Sequence, residues 1–283
     1  MRIINKVAAK MVRHPLCLDF LTAVEASPPE LADLAAANGC GAIAIMVHPA
    51  EGVPDFGMAY DTPMRRETRR RCRELGVAID MIEGFLLKPE TDIAAFRAAL
   101  ESGAWLGARS VNVLLRDPDV QRLRENFTAF CDLAGDYGLA VVTEWSRRTP
   151  LKSPAEAAAF LTAATHGAAR LQLDSLHLFR AGFTVSDVSA LDPRIIGRAQ
   201  LSDGPTGMPV ERQFEEALGE RRVPGGGDLP LGAFVDALPD GITLGIEAPM
   251  TSLRLQGIGP AERVRRAVTA TRDLLETRAG QGS

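Results

Sequence analysis

Short runs of apolar residues alternate with longer segments of helical periodicity along almost the whole chain of 283 residues. The runs are continuously apolar and do not alternate with polar residues, which is typical of parallel strands covered on both faces. Repeated βα units are therefore the feature that most constrains the fold. The predicted strands are Leu16–Phe20, Gly41–Val47, Val77–Ile82, Ser110–Leu115, Leu139–Thr143, Arg170–Leu173, Ile195–Leu201 and Ile242–Ile246.

The segments between these runs are predicted helices, and several of them end at a glycine. Gly76, Gly107 and Gly138 each stand just past a helical segment, where a left-handed residue satisfies the last carbonyl groups and glycine has the lowest steric cost. Ser27 is placed to cap the first helix, and Pro28 stands in its first turn. The predicted helices are Pro28–Asn38, Pro63–Leu75, Asp92–Leu106, Val120–Tyr137, Pro154–Thr165, Pro230–Leu238 and Pro260–Thr277.

Eight βα units fit a single (β/α)8 TIM barrel in both number and chain length. The competing α/β architecture is a doubly wound open sheet, which usually carries a glycine fingerprint after its first strand. The segment Asp19–Pro29 contains no glycine. We therefore predict the α/β class, with one TIM-barrel domain over residues 1–283.

One interval is irregular, because Ser202–Leu229 separates the seventh strand from the last short helix and contains Gly225-Gly226-Gly227. A long glycine-containing loop inside a compact domain is usually functional, although it can also be a surface excursion. Its position at the expected rim of the active site favours a lid at about residues 202–229.

Composition and charge narrow the class of partner. The chain has 32 basic and 36 acidic residues and a net charge of −4, which argues against nucleic-acid binding. No apolar stretch approaches the ~20 residues of a membrane span, and the amino terminus has no signal-peptide pattern. The four cysteines lack a CxxC spacing and are predicted to be reduced thiols. We expect a cytoplasmic protein with a small-molecule substrate, and the sequence leaves a homo-oligomer open.

Polar residues stand at or just past the ends of four predicted strands, at the end of a barrel where active sites lie. They are Glu144, Asp174, Gln200 and Glu247. Carboxylates that converge in a low dielectric repel one another unless a cation or a proton neutralises them. Each acid alone could equally cap a helix or pair with an arginine, but the set of four predicts a metal site. Its all-oxygen character suits Mn²⁺ or Mg²⁺, with Zn²⁺ or Co²⁺ as alternatives.

Three further residues stand on the same rim. His177 lies three residues past Asp174 and is a candidate for substrate binding or proton transfer. His48 ends the second strand and is a candidate substrate contact or a plain loop residue. Arg116 ends the fourth strand, where it could bind a substrate carboxylate or phosphate or pair with a neighbouring aspartate.

The ordered set of these motifs resembles the xylose isomerase-like TIM-barrel family, which includes sugar-phosphate isomerases and epimerases, ketose 3-epimerases, inosose dehydratases and dehydroshikimate dehydratases. The resemblance covers nearly the whole chain. The motifs that carry it are Thr143-Glu144, Leu173-Asp174-Ser175-Leu176-His177, Ala199-Gln200-Leu201-Ser202-Asp203, Arg222-Val223-Pro224-Gly225-Gly226-Gly227 and Gly245-Ile246-Glu247.

The resemblance implies that Glu144, Asp174 and Glu247 bind a divalent metal ion and that His177 and Arg222 contact the substrate. Two positions depart from the family pattern. Gln200 stands where most relatives have a histidine, a substitution similar to that in some dehydroshikimate dehydratases. Trp145-Ser146 stands where many relatives have Asn-His, which predicts a less sugar-like substrate.

These observations predict a metal-dependent isomerase or epimerase that acts on a sugar, a sugar phosphate or a related polyhydroxy carbonyl compound. The reaction would pass through a metal-stabilised enediolate, with Glu144 and Glu247 as the two bases and His177 as a third catalytic residue. One alternative is a dehydratase of the dehydroshikimate or inosose type, in which the same intermediate expels water. The other is a binding barrel without catalytic activity. A DNA-repair endonuclease of the same barrel class is disfavoured, because the chain has only four histidines.

Overall fold

The strands pair side by side in chain order, and the last also pairs with the first, so that the parallel sheet closes into a barrel. The computed structural model describes residues 14–48, 52–165 and 168–281. The closed barrel of eight strands, with helices between them, confirms the predicted (β/α)8 fold. The strands are β1 (Leu16–Asp19), β2 (Ala42–Met46), β3 (Ala78–Leu87), β4 (Ser110–Leu115), β5 (Ala140–Glu144), β6 (Arg170–Asp174), β7 (Ile196–Leu201) and β8 (Thr243–Ile246).

The helices follow the strands and pack around the barrel. Those predicted from the sequence are present, with ends that differ by a few residues. They are α1 (Pro28–Ala37), α2 (Pro63–Leu75), α3 (Arg97–Leu106), α4 (Val120–Asp136), α5 (Pro154–Thr165), α6 (Ser175–Arg180), α7 (Val185–Ser189), α8 (Gln213–Gly219), α9 (Leu231–Ala237), α10 (Thr251–Leu255) and α11 (Pro260–Gln281).

Local sequence signals explain where these helices begin and end. Ser27 caps α1, and its backbone N–H and hydroxyl donate to Glu30 in a capping box. Thr62 caps α2 by accepting a hydrogen bond from the Arg65 backbone at 3.1 Å. The helix ends at Gly76, whose φ of 66° is the left-handed conformation expected at this position.

Two predicted elements have different bounds in the structure, and four short helices were not predicted. β3 continues to Leu87, beyond the predicted end at Ile82, because Phe85–Leu87 pair with β4 after a register irregularity. The predicted helix Asp92–Leu106 begins as a 3₁₀ turn at Ile93–Phe96 before α3 starts. The sequence analysis did not predict α6, α7, α8 or α10, which have only five to seven residues and therefore show too little periodicity.

The main hydrophobic core lies between the barrel and its helices. Fully buried phenylalanines, among them Phe85, Phe127, Phe130 and Phe234, belong to this layer. A second, smaller apolar cluster lies apart from it and consists of Cys17, Ala42, Ala44, Met81 and Val142. Apolar burial therefore holds the helices on the sheet, whereas polar side chains occupy much of the space enclosed by the strands.

Two further sequence expectations can be compared with the structure. Within the described residues, no helix is both long and apolar enough to span a bilayer. The four cysteines are free thiols, of which Cys17, Cys40 and Cys72 are buried. The amino-terminal segment used for the targeting prediction lies mostly outside the described residues, which begin at residue 14.

A buried arginine is the largest side chain enclosed by the strands. Arg198 of β7 is 2% exposed and forms ion pairs with Asp19 and Asp80, the second through Nε and Oδ2 at 3.1 Å. Gly245 of β8 makes room for it, because a Cβ at that position would lie 2.6 Å from Arg198 Nη2 and closer still to Asp19. The absence of a side chain at Gly245 is therefore a packing requirement of the buried ion pair.

We expect Gly245→Ala to destabilise the fold. The added methyl group would displace the Arg198–Asp19 pair, and overpacking of this kind costs about 1–3 kcal/mol before any loss from the ion pair itself. Chemical denaturation of the purified variant measures the change in the free energy of unfolding.

Gly135→Ala is the matched control. A Cβ at Gly135, in the last turn of α4, would meet no atom within 4 Å. That substitution should leave stability unchanged or raise it by about 0.4–1 kcal/mol. Equal effects of the two substitutions would contradict the packing role of Gly245.

Candidate active site

Four polar residues at consecutive strand ends lie at the carboxyl end of the barrel. Glu144 ends β5, Asp174 ends β6, Gln200 is the penultimate residue of β7, and Glu247 directly follows β8. Gln200 is in register with Asp174 on one side and with Gly245 on the other. Asp174, Gln200 and Glu247 are buried, and the side chain of Glu144 is 13% exposed.

Glu144, Asp174 and His177 form one compact group. Asp174 caps α6, and its Oδ1 accepts a hydrogen bond of 2.9 Å from the His177 backbone. The same turn places His177 Nε2 3.0 Å from Glu144 Oε1. Burial alone would lower the pKa of His177, but the charges of Asp174 and Glu144 outweigh it and raise this pKa above its usual value. Glu144 and Asp174 therefore both act on the imidazole of His177.

Arg221 joins this group to Glu247. Its Nη1 lies 2.6 Å from Asp174 Oδ2, and its Nη2 lies 3.0 Å from Glu247 Oε2. The Arg221 Nε donates to the carbonyl oxygen of Ala217 at 2.7 Å, so the buried guanidinium is held from both ends. Burial alone would raise the pKa of Asp174, but Arg221 and His177 hold it below its usual value, so Asp174 is ionised.

The family resemblance implied that Arg222 contacts the substrate, which stays a prediction, and the structure shows where this side chain lies. Arg222 is exposed, and its Nη1 lies 3.5 Å from the carbonyl oxygen of Gly226. Its backbone pairs with Asp203 in an isolated bridge, an extended conformation in which neighbouring side chains point in opposite directions. The motif thus identified the segment, but a shift of one residue separates the buried Arg221 from the exposed Arg222.

Hydrogen bonds fix the orientation of Gln200. The guanidinium of Arg198 can only donate hydrogen bonds, so its Nη1 bonds the side-chain oxygen Oε1 of Gln172 at 2.9 Å. The NH₂ group of Gln172 therefore points towards Gln200 Oε1, to which it donates at 2.8 Å. The Gln200 NH₂ then donates to Asp19 Oδ2 at 2.9 Å and to Glu247 Oε1 at 3.0 Å. In this arrangement Gln200 donates a hydrogen bond that orients Glu247, and its own side-chain oxygen accepts from Gln172.

The residues at the mouth fit a divalent metal ion. One ligand atom each from Glu144, Asp174 and His177 lie within 4.8 Å of one another, a separation that one ion can bridge. The sequence predicted an all-oxygen set, but this group includes an imidazole, which also suits zinc. Gln200 could add an oxygen only if its amide turned away from Gln172.

A second group of carboxylates lies beside the first. Oxygen atoms of Asp19, Glu83 and Glu247 also lie within 4.8 Å of one another. Burial, opposed by Arg221 and reinforced by neighbouring carboxylates, raises the pKa of Glu247 to about 8. Burial and the charges of Glu247 and Asp19 raise the pKa of Glu83 well above its usual value. The sequence analysis did not include Glu83 or Asp19 in the site, although each lies at or near the carboxyl end of a predicted strand.

The two remaining predicted residues, Arg116 and His48, have different surroundings. Arg116 follows β4, and its charge interacts with that of Glu144. Its Nη1 donates to the carbonyl oxygen of Leu115 at 3.1 Å. His48 instead stacks on Phe85, with ring centroids 5.6 Å apart, and meets the edge of Phe96 at 5.1 Å.

Asp203 holds segment 202–229 in place through hydrogen bonds from the backbone of this segment. The two carboxylate oxygens of Asp203 accept hydrogen bonds from the backbone N–H groups of Gly204, Gly225 and Leu229. A Cβ at Gly227 would lie 2.6 Å from the Gly204 carbonyl oxygen and would also clash with Asp203. The glycines therefore wrap around an internal carboxylate. That this segment closes as a lid stays a prediction.

We expect Arg221→Met to destabilise the protein by about 3–5 kcal/mol, because removal of one partner leaves buried carboxylates without a counter-charge. Arg222→Met is the matched control and should change stability by no more than about 0.5 kcal/mol. Urea unfolding of both variants tests this, and equal stability of Arg221→Met and the wild type would contradict the bridging role.

Mn²⁺ should stabilise the folded protein. An ion that binds only the native state at 100 times its dissociation constant adds about 2.7 kcal/mol to the free energy of unfolding. Thermal unfolding with and without Mn²⁺ measures this effect, and Asp174→Asn should abolish most of it. An unchanged melting temperature at saturating Mn²⁺ would argue against a metal site.

Comparisons with known proteins agree with this fold. A family model described as a xylose isomerase-like TIM barrel matches residues 32–274. No curated protein matches the chain. Among solved structures, a xylose isomerase-like TIM barrel/4-hydroxyphenylpyruvate dioxygenase fusion protein is 19% identical, with a TM-score of 0.78. The match covers 94% of this chain but only 43% of the fusion protein.

Two other solved structures match over nearly their whole length. The IOLI protein with a bound zinc atom is 17% identical with a TM-score of 0.74, and the match covers 93% of this chain and 99% of that protein. A probable 3-DHS dehydratase, AsbF, from Bacillus anthracis is 15% identical with a TM-score of 0.71, and the match covers 88% and 97%. At these identities the similarity establishes the fold alone.

Proposed function

The chain belongs to the xylose isomerase-like TIM barrel family, and from that premise we propose that it is a divalent-metal-dependent isomerase or epimerase. Its substrate would be a sugar, a sugar phosphate or a related polyhydroxy carbonyl compound. The observation that carries the proposal is the Glu144–His177 pair, 3.0 Å apart beside Asp174 at the barrel mouth. A base held next to a proton carrier is what proton transfer at a carbon atom requires.

Mn²⁺ or Mg²⁺ is the proposed metal, held by Glu144 and Asp174 together with either His177 or the predicted ligands Gln200 and Glu247. Zn²⁺ and Co²⁺ are the alternatives. When bound, such an ion would polarise the substrate carbonyl group and acidify the neighbouring C–H bond. The remaining steps depend on the side chains of the chain itself.

Glu144 is the proposed base that removes the proton from the carbon next to the carbonyl group. His177 lies on its Oε1 and stabilises the carboxylate before the transfer. Glu247, which pairs with the other side of Arg221, is the proposed group that returns a proton to the opposite face of the same carbon atom. Burial raises the pKa of Glu247 to about 8, so that much of it is protonated at neutral pH. Arg221 holds Asp174 and Glu247 at a fixed separation during the transfer.

A specific observation favours a second candidate, a dehydratase. Glu247 is engaged on both oxygens, by Gln200 and by Arg221, whereas Glu144 and His177 lie together as a base and an acid. In a dehydratase, Glu144 would take the proton as the C–H bond breaks and a C=C bond forms. The neighbouring C–O bond would break with its electron pair, and His177 would protonate the departing hydroxyl group as water.

Substrate proton exchange separates the two candidates. Candidate hydroxy-carbonyl compounds are incubated in D₂O with the Mn²⁺-loaded enzyme and followed by NMR spectroscopy. Deuterium at the carbon next to the carbonyl group without a new alkene supports the isomerase or epimerase, and an alkene product supports the dehydratase. Neither exchange nor elimination across a broad panel would favour the binding barrel.

Glu144→Gln should lower turnover by about 10²–10⁴-fold, because it removes the base while it preserves side-chain size. Glu101→Gln, which changes an exposed glutamate of α3, is the control and should retain full turnover. In an epimerase, Glu247→Gln should still exchange one substrate epimer. In a dehydratase, His177→Ala should cost as much turnover as Glu144→Gln. Full activity in Glu144→Gln would refute both candidates.

A further inference from the structure

The polarity of helix α8 is the reverse of that of an ordinary surface helix. An ordinary surface helix turns its apolar stripe to the core and its charged residues to water. In α8, by contrast, Glu216 is 3% exposed, whereas Phe214 and Leu218 are 49% and 53% exposed. Phe214 and Leu218 are four residues apart and therefore share one face of the helix. The outward face of α8 is thus apolar, and its inward face carries a charge.

An ion pair anchors the buried side of α8. Arg180 of α6 forms two hydrogen bonds of 2.7 Å with the two carboxylate oxygens of Glu216, and it also donates to the carbonyl oxygen of Pro205 at 2.8 Å. Breaking this pair would leave a buried charge without a partner, which is costly. The helix therefore cannot turn its apolar face inward, and the exposure of Phe214 and Leu218 is imposed by the fold.

Exposed apolar side chains are concentrated at this place. Val210, Phe214 and Leu218 fall within nine residues, and Val210 belongs to the 3₁₀ turn that leads into α8. Val210 and Phe214 also line one cavity together. The other strongly exposed large apolar residues among those described come from separate elements and are Tyr60, Val120 and Leu255. Single exposed apolar residues are common, whereas a group of them marks an interaction surface.

Opposite charges flank this apolar surface. On the side of the cavity, the exposed Arg148 lies over the ring of Phe214, with its guanidinium carbon 4.3 Å from the ring centroid, and it forms no ion pair among the described residues. Glu215 lies about 100° further around the helix than Phe214 and does not line the cavity. Its contact with Arg212, at 3.8 Å between two exposed side chains, contributes little. The surface therefore has a basic edge and an acidic edge.

Such a surface is complementary to itself under one two-fold rotation. When the axis runs parallel to α8, the apolar faces of two copies meet, and the basic edge of each copy lies against the acidic edge of the other. An axis across the helix would bring like charges together. The heights along the helix also match, because Arg148 covers Phe214 and Glu215 is one residue further, a rise of about 1.5 Å.

We propose that Val210, Phe214 and Leu218, with Arg148 and Glu215 at the edges, form an interface that binds a second copy of this chain about a two-fold axis parallel to α8. Each Arg148 then pairs with Glu215 of the partner subunit. Three partly exposed apolar side chains supply less than the roughly 800 Å² per partner of a standard interface. The dimer is therefore reversible and depends on protein concentration.

This interface borders the candidate active site. Val210, Phe214 and Arg148 line a cavity of about 160 Å³ whose wall also includes His177. A second copy seated on α8 covers this side of the cavity and so reduces the access of solvent to His177. The interface does not depend on which reaction the mouth performs, because none of its five residues is a proposed catalytic residue.

Sedimentation equilibrium of the full chain measures the association. Over about 1–300 µM we expect the wild type to show a reversible equilibrium between monomer and dimer. Phe214→Ser should weaken dimerisation at least about tenfold, because it removes the aromatic group at the centre of the interface. Tyr60→Ser is the matched control, since it removes an exposed aromatic side chain outside the interface and should dimerise as the wild type does. Melting temperatures verify that each variant is folded.

Charge reversal tests the two-fold arrangement. Arg148→Glu and Glu215→Arg should each weaken the dimer about tenfold, because each opposes like charges at both symmetry-related contacts. The double variant Arg148→Glu/Glu215→Arg restores opposite charges and should recover most of the affinity. Arg124→Glu, at an exposed arginine of α4, changes the net charge by the same amount outside the interface and should have no effect.

Three outcomes would overturn the interface. A wild type that stays monomeric at every concentration would show that no second copy binds. A dimer that Phe214→Ser and both charge reversals leave unchanged would associate through another surface. A dimer that Phe214→Ser dissociates, but whose affinity the double charge reversal does not recover, would not have the two-fold axis parallel to α8.

Discussion

The ion pair between Arg198 and Asp19 is the constraint on which the rest of the site depends. A fully buried guanidinium is tolerated only with charge partners and satisfied hydrogen bonds, and Arg198 has both in Asp19, Asp80 and Gln172. Its donors dictate the orientation of the Gln172 amide, which in turn orients Gln200. Gln200 then donates to Glu247. A charge beneath the mouth thus sets which polar atoms the mouth presents.

Carboxylates alternate with cations in the layer above this ion pair. Asp174 and Glu247 share Arg221, Glu144 faces His177, and Asp19 faces Arg198. Each pair reduces the repulsion that acids of neighbouring strands would otherwise feel in a low dielectric. Glu83 forms no ion pair among the described residues, and burial together with the charges of Glu247 and Asp19 raises its pKa well above the usual value. The carboxylates are thereby kept in different environments, as acid–base chemistry requires.

The sequence predicted the barrel and the strand ends because both follow from local patterns. Continuous apolar runs and glycines past helix ends are visible without tertiary information, and in a parallel barrel the carboxyl ends of all strands lie at the same end of the barrel. The sequence alone could not show that Arg221 is buried and Arg222 exposed, since the direction of each side chain depends on the backbone bridge between Asp203 and Arg222. The hydrogen bonds of Gln200 could not be predicted from the sequence either, because its partners come from β1, β6 and the end of β8. Side-chain direction in irregular segments is decided by tertiary contacts.

Two departures from ordinary packing rules lie at the mouth. Buried acceptors are normally paired, yet Glu83 and Asn112 keep unpaired oxygens on adjacent strands. Arginines near an acid normally pair with it, yet Arg116 and Arg148 form no ion pair among the described residues. Such departures reduce the stability of the free protein and persist where a ligand supplies the missing partners. Unpaired acceptors and arginines without an ion pair at the same end of the barrel are therefore the groups that a bound ligand or a second copy of the chain would have to complement.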